Sequence, residues 1–89
     1  MANVNVSVED IAPLGGTNNK GYRIGYLNSA TKAAQNDTIT ITNAKKVEFA
    51  GISLDATGTS QTNTIATNVI TVTAATAGTV SGFVYYFAL

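Results

Sequence analysis

The side chains that perform most enzyme chemistry are missing from this 89-residue sequence, which has no His and no Cys. A His-dependent triad, a thiol nucleophile and any His or Cys metal site are therefore excluded. Five carboxylates remain: Glu9, Asp10, Asp37, Glu48 and Asp55. Glu9 and Asp10 are adjacent, so on an extended chain they point to opposite sides, and the other three fall in separate strands and turns. Paired carboxylates for glycoside hydrolysis would have to converge in a cleft, and no cleft-forming motif accompanies them. Asp37 and Asp55 with loop carbonyls could ligate calcium, but the dense acidic loop such an ion uses is missing. These acids read as solvated turn residues. No catalytic, metal-binding or cofactor-binding residue is assigned, and the chain is expected to be no enzyme and to need no cofactor.

Other motifs carry little. Gly15-Gly16 follows a strand, as a phosphate loop would, but lacks the Gly-Lys-Ser/Thr ending and the helix after it. Lys20, Arg23, Lys32, Lys45 and Lys46 balance the five acids and form no basic footprint, so nucleic acid is not an expected partner. The Lys45-Lys46 pair, at the start of a strand, reads as an edge guard. Asn5-Val6-Ser7 and Asn36-Asp37-Thr38 match the N-glycosylation acceptor pattern, which arises often by chance in an Asn/Thr-rich chain. No apolar run approaches the length that spans a bilayer, so no membrane is expected as a partner. The opening MANVNVSVED has no basic segment leading into an apolar one, which points to synthesis in a cytoplasm.

Aromatic side chains are the groups left that could recognise something. Tyr22, Tyr26, Tyr85 and Tyr86 could make a sugar-stacking platform or a protein interface. The competing reading is that Phe49, Phe83, Phe87 and some of the tyrosines fill the core. The element that positions most of them is Thr79 to Leu89, TVSGFVYYFAL, which is apolar on both faces when extended. Phe83, Tyr85, Phe87 and Leu89 line one side, and Val84, Tyr86 and Ala88 the other. A strand apolar on both sides lies between two layers or against another molecule. Our reading sends the Phe83 side to the core and the Val84 side to a second layer or a subunit contact. The candidate interface is accordingly Val84, Tyr86 and Ala88, with Tyr22, Tyr26 and Leu14.

The rest of the chain must supply strands to carry this one. Asn3 to Val8 alternates, with Val4, Val6 and Val8 on one face. Ile11 to Lys20, IAPLGGTNNK, reads as a long loop suited to contact. Tyr22 to Leu27 alternates again, and Gly25 marks a bulge or a close approach by another backbone. Asn28 to Asn36 has the only helical character, one or two turns capped by Ser29. Asp37 to Thr42 is a strand with Ile39 and Ile41 inward. Lys45 to Leu54 carries Val47 and Phe49 inward, with a bulge at Gly51 restoring Ile52 and Leu54 to the core. Thr62 to Thr67 and Val69 to Thr73 form a hairpin about Thr67-Asn68. Six or seven short strands with almost no helix indicate an all-β fold, a small antiparallel β-sandwich of jelly-roll or immunoglobulin-like order. Residues 1–89 form a single domain, with 1–20 as an N-terminal strand plus contact loop or arm. The C-terminal strand is expected at the centre of a sheet and the N-terminal one at an edge.

Charged residues make up 11% of the chain, against about 25% in an average soluble domain. The net charge is zero and the mean hydropathy +0.16. Copies of such a chain repel one another weakly, so burial between subunits is expected. DTITITNAKKVEFAGISLD, followed by NVITVTAATAGTVSGFVYYFAL, on a short neutral chain without Cys resembles the small all-β proteins of tailed-phage virions, particularly capsid decoration or cement proteins. The resemblance implies a non-enzymatic virion subunit made in the host cytoplasm. It also implies a trimer at the junctions of the major capsid protein, with the N-terminal arm or a loop reaching a neighbour. It transfers no site residue. Two other expectations stay open: a carbohydrate- or surface-binding module of a tail or fibre, and an extracellular filament subunit that lends a strand to its neighbour.

Overall fold

The computed structural model describes residues 2–13 and 22–89. They form eight strands: β1 (Asn3–Val6), β2 (Glu9–Pro13), β3 (Tyr22–Lys32), β4 (Asp37–Ile41), β5 (Ala44–Leu54), β6 (Asn63–Ala66), β7 (Val69–Val72) and β8 (Gly78–Ala88). Two four-stranded sheets pack as a β-sandwich, one in the order β1-β4-β7-β6 and the other β2-β3-β8-β5. As expected, the C-terminal strand is interior to its sheet and the N-terminal strand is at an edge. All the pairs are antiparallel except β1 with β4, which is parallel.

Several expectations are corrected. Eight strands form rather than six or seven, and β3, β5 and β8 each run eleven residues. The helical turns expected over Asn28–Asn36 do not form: β3 continues to Lys32, pairing Ala30 with Val80, Thr31 with Thr79 and Lys32 with Gly78. Pairing with β8 outweighs the weak helical preference of Ala-Thr-Lys. Ser29 makes the bulge that keeps this register, with a left-handed φ of 58°. Ile11 to Pro13, expected to open a loop, belong instead to β2, which ends at Pro13 on an edge strand, where the missing N–H is tolerated. The rest of that loop, with Leu14 and Gly15-Gly16, lies outside the described residues. An immunoglobulin-like order would place the first two strands side by side in one sheet, whereas here the chain changes sheets at Ser7-Val8.

The core is aliphatic. Ile39, Ile41, Ile70 and Val72 come from the first sheet, and Leu27, Val47, Ala50, Ile52, Leu54, Val80 and Val84 from the second. Tyr86, 2% exposed, is the one aromatic ring among them. It fits because Gly25 has no side chain: a Cβ there would lie 2.8 Å from Tyr86 Cε1 and 2.7 Å from Val8 Cγ2. The face assignment of the C-terminal strand is therefore reversed. Val84 and Tyr86 face the opposite sheet across the core, while Phe83 is 54% exposed and Leu89 83%. β5 shows the same inversion. Its register shifts between Val47 and Phe49 rather than at Gly51, so Glu48 is passed over, Ala50 turns inward and Phe49 turns out, 63% exposed.

Side chains complete the backbone where the ladders stop. Asn43 accepts from Val8 N (3.0 Å) and donates to Val8 O (2.9 Å), joining the chain where it leaves β1. The Asp37 carboxylate, buried at the start of β4, accepts from Ala2 N (2.9 Å), Ala33 N (2.8 Å) and Ala34 N (2.9 Å). It thereby fastens both β1 and the turn that follows β3. Lys32 is buried too, and its Nζ donates to Thr76 O. The β6–β7 hairpin forms as expected, but Thr67 rather than Asn68 takes the positive φ (54°), while Asn68 Nδ2 donates to Ile41 O.

Two predictions follow from these contacts. A Cβ on Gly82 would come within 2.0 Å of Gly51 O and 2.7 Å of Ile52 Cα, both backbone, whereas one on Gly51 would meet only the exposed Phe49 ring at 3.2 Å. Chemical denaturation should rank Gly82→Ala as most destabilising and Gly25→Ala next, the latter by about 1–3 kcal/mol from overpacking, with Gly51→Ala near neutral.

The second concerns pH. The hydrogen bonds from Ala2 and Ala34, against the effect of burial, hold the Asp37 carboxyl below its ordinary value, and the Arg23 hydrogen bond does the same for Asp10. A depressed folded-state value means stability that is present above the ordinary carboxylate range and is lost as pH falls through the folded value. Asp37→Asn should lower the midpoint at neutral pH and flatten its decline below about pH 4, Asp10 leaving a residual slope. Urea titrations of both proteins across that range measure it.

Candidate interaction face

Period-two alternation decides what the second sheet presents to the outside. With Gly25 and Leu27 inward on β3, Tyr22, Ile24 and Tyr26 point out. With Val84 and Tyr86 inward on β8, Phe83, Tyr85 and Phe87 point out. Register assembles them into rows: Tyr22 opposite Phe87, Ile24 opposite Tyr85, and Tyr26 opposite Phe83. β5 extends the rows with Lys46 beside Phe87, Phe49 beside Tyr85 and Gly51 beside Phe83, and β2 places Glu9 beside Tyr26.

The rings touch. Tyr22 stacks on Tyr85 at 5.1 Å between centroids with 21° between planes, and meets Phe87 at 5.1 Å and 55°. Tyr26 meets Phe83 at 5.5 Å and 55°. Such pairs contribute about 0.5–1.5 kcal/mol each beyond the area they cover, so the surface is ordered before anything binds it. Of four Tyr and three Phe in the chain, only Tyr86 is in the core, and the other six form this face.

The polar groups of the face gather at its margins. Lys46 Nζ lies 2.6 Å from Glu48 Oε1, which also accepts from Tyr22 OH at 3.4 Å. That hydrogen bond to Glu48 raises the Lys46 ammonium above its ordinary value. Lys45 Nζ sits 5.8 Å over the Phe87 ring, a cation–π contact at the same corner. On the other side of the sheet, in the phase of Gly25, Arg23 donates to Asp10 Oδ2 through Nε (2.9 Å) and Nη2 (2.6 Å), tying edge strand β2 to β3. Exposed pairs of this kind add little stability. Their effect is to orient the edge.

The opposite face of the sandwich has another chemistry. Its outward residues on β4 and β7 are Thr38, Thr40, Val69 and Thr71, and its hydroxyls bond to one another and to Asn3. Thr38 and Thr40 Oγ1 both donate to Asn3 Oδ1 (2.7 and 2.9 Å), and Thr73 Oγ1 donates to Thr62 Oγ1 (2.9 Å). A third feature is an open hollow of about 790 Å³, lined by Ser29 and threonines together with Leu54, Ala56 and Ala77 and by Asp55, whose Oδ2 accepts from Ser29 Oγ at 3.3 Å. Among the described residues no three His, Cys, Asp or Glu side chains converge as metal ligands would.

Of the interface residues expected from sequence, Tyr22 and Tyr26 lie together on the aromatic face. Val84 and Tyr86 lie in the core and Ala88 packs half-buried against it, so these three face the second layer. Leu14 is outside the described residues. Sequence reasoning missed Phe49, Phe83, Phe87 and Ile24 as surface residues. The signal that could have found them is Gly25: a glycine within a strand marks a close approach, and its phase is that of Leu27, opposite to Tyr22 and Tyr26. Compared with known proteins, the chain matches no protein-family model, no curated protein and no solved structure.

Proposed function

We propose that this chain is a non-enzymatic structural subunit that works by being packed against other protein, and that it serves as a decoration protein on the shell of a tailed phage. The observation that carries the reading is the outer face of the β2-β3-β8-β5 sheet, where register gathers six aromatic residues and Ile24 on the surface, Tyr22 in contact with Tyr85 and Phe87, and Tyr26 with Phe83. Contiguous apolar surface of this kind marks an interaction site, and aromatic side chains dominate interface energetics. The near absence of net charge supports the same reading, because nothing long-range keeps neighbours apart. Both segments that carry the virion resemblance help build the sandwich, the first as β4 and β5 and the second as β7 and β8. In this reading the partners are further copies of the chain and the major capsid protein.

A carbohydrate-binding role has one observation in its favour. The Tyr22–Tyr85 stack is flat, with the Glu48 carboxylate beside it as an acceptor, which is the form of a sugar platform. A glycan array separates the two readings: specific glycan binding lost on Tyr22→Ala promotes the second.

The main test asks whether a major capsid protein is encoded beside this chain and uses shells built from it. The chain should co-sediment with them and raise the temperature at which they break. Phe49→Ser with Phe83→Ser should weaken that binding by about 30-fold, the cost of losing one interface hot spot or more. A folded chain that stays in the supernatant at saturating concentration would falsify the role.

A further inference from the structure

We infer that β1 is a strand on a latch: protonation of Asp37 frees it from β4 while the rest of the sandwich stays folded. The device belongs to the fold and holds whatever covers the aromatic face.

β1 is weakly held. None of its residues is fully buried, Val4 and Val6 being half-buried and Asn3 and Asn5 exposed. It lies at a sheet edge with β4 as its one ladder partner among the described residues, in a parallel pairing, the less stable of the two kinds. Thr38 N donates to Ala2 O (2.9 Å) and Thr42 N to Val6 O (2.7 Å), and Asn3 Oδ1 takes the hydroxyls of Thr38 and Thr40. Downstream, the Asn43 clasp fixes the chain at Val8, so β1 can swing about the exposed Ser7 without disturbing β2.

The latch is one buried carboxylate with a divided task. Asp37, 3% exposed, accepts from Ala2 N through Oδ1 and from both Ala33 N and Ala34 N through Oδ2. A proton settles on the oxygen that serves fewer donors, which is Oδ1, and there it turns an acceptor into a donor facing Ala2 N. The turn after β3 keeps its bonds. β1 loses the anchor at its head. The Ala2 hydrogen bond is also the largest of the influences that hold the Asp37 carboxyl below its ordinary value, so ionisation and the attachment of β1 are linked at that contact.

No other charge takes over. β1, residues 33–36 and β7, whose Val72 pairs with Asp37, carry no charged side chain. Lys32, at the end of β3, is buried with its Nζ on Thr76 O, and the amino group of the chain favours the ionised form of Asp37. Because the folded carboxyl lies below its ordinary value, the latch is shut above the ordinary carboxylate range and opens as pH falls through the folded value. Opening bares the N–H groups of Thr38 and Thr42 beside Ile39 and Ile41, an edge ready to take another strand.

Amide exchange followed by NMR on the intact chain, from about pH 7 down to about pH 3, reads this within a single strand, because successive N–H groups of β4 point to opposite neighbours. Thr38 and Thr42 N–H bond to β1, whereas Ile41 N–H bonds to Asn68 O and Val47 N–H to Thr67 O. Corrected for the intrinsic rate at each pH, protection of Thr38 and Thr42 should fall about ten-fold or more as Asp37 titrates, with Ile41 and Val47 unchanged. Asp37→Asn should show the acid pattern already at neutral pH. Asp10→Asn should keep the parent profile, since Asp10 pairs with Arg23 in the other sheet. If Asp37→Asn does not fold, the titration of the parent chain decides alone. Equal loss at Ile41 and Val47, a flat profile at Thr38 and Thr42, a folded Asp37→Asn chain with both amides protected at neutral pH, or a profile moved by Asp10→Asn overturns the inference.

Discussion

The space between the two sheets admits one aromatic ring, and that ring is Tyr86 over Gly25. Facing sheets sit about 10 Å apart, and here the opposite wall is built of branched aliphatics, Ile39, Ile41, Ile70 and Val72. A phenol enters such a layer only where a neighbour gives up its side chain, and Gly25 does so, with Val8 closing the same spot. Once Tyr86 is inside, alternation leaves Phe83, Tyr85 and Phe87 nowhere but outside, and their cross-strand partners Tyr22, Ile24 and Tyr26 go with them. Packing of a single residue thus sets the character of a whole surface.

The result is a molecule with two unlike sides. One is covered by threonine hydroxyls and asparagine amides that satisfy one another, a surface that water wets readily. The other is covered by stacked rings with charge only at its margins. Such an asymmetry gives a small neutral domain a direction: in the proposed role, packing against other protein would remove the ringed side from water and leave the hydroxyl side facing out, with buried apolar area driving the preference.

The sequence made the strands legible, and the β-sandwich with them, because alternation in Asn3–Val8, Tyr22–Leu27 and Asp37–Thr42 is regular: β1 covers the first as far as Val6, β3 the second, and β4 the third as far as Ile41, with Ile39 and Ile41 inward as expected. It failed where alternation could not be read. Thr79–Leu89 is apolar in both phases, so periodicity gives no preference, and volume decides instead: three rings do not fit between the sheets where Val80, Val84 and a single Tyr do. In Lys45–Leu54 the bulge falls at Glu48 rather than Gly51, and that shift turned Phe49 from an expected core residue into a surface one. Asn28–Lys32 has no apolar pattern, and only the pairing partner supplied by β8 makes it a strand. Tyr22 and Tyr26 were singled out from their chemistry, and both lie on the outer face. The four apolar residues around them were not, since a Phe or an Ile in a strand is ordinarily taken for core.

One feature of the topology bears on how the molecule comes together in time. β8 sits between β3 and β5, and its partner residues in β3 lie more than half the chain away, Tyr22 with Phe87 and Ile24 with Tyr85. Until β8 slots in, β3 and β5 each keep a bare ladder of N–H and C=O groups turned toward the gap, and closing so long a loop carries a large entropic barrier. Folding is therefore slow at that one insertion, and the half-built sheet is the species most prone to clump with its own kind.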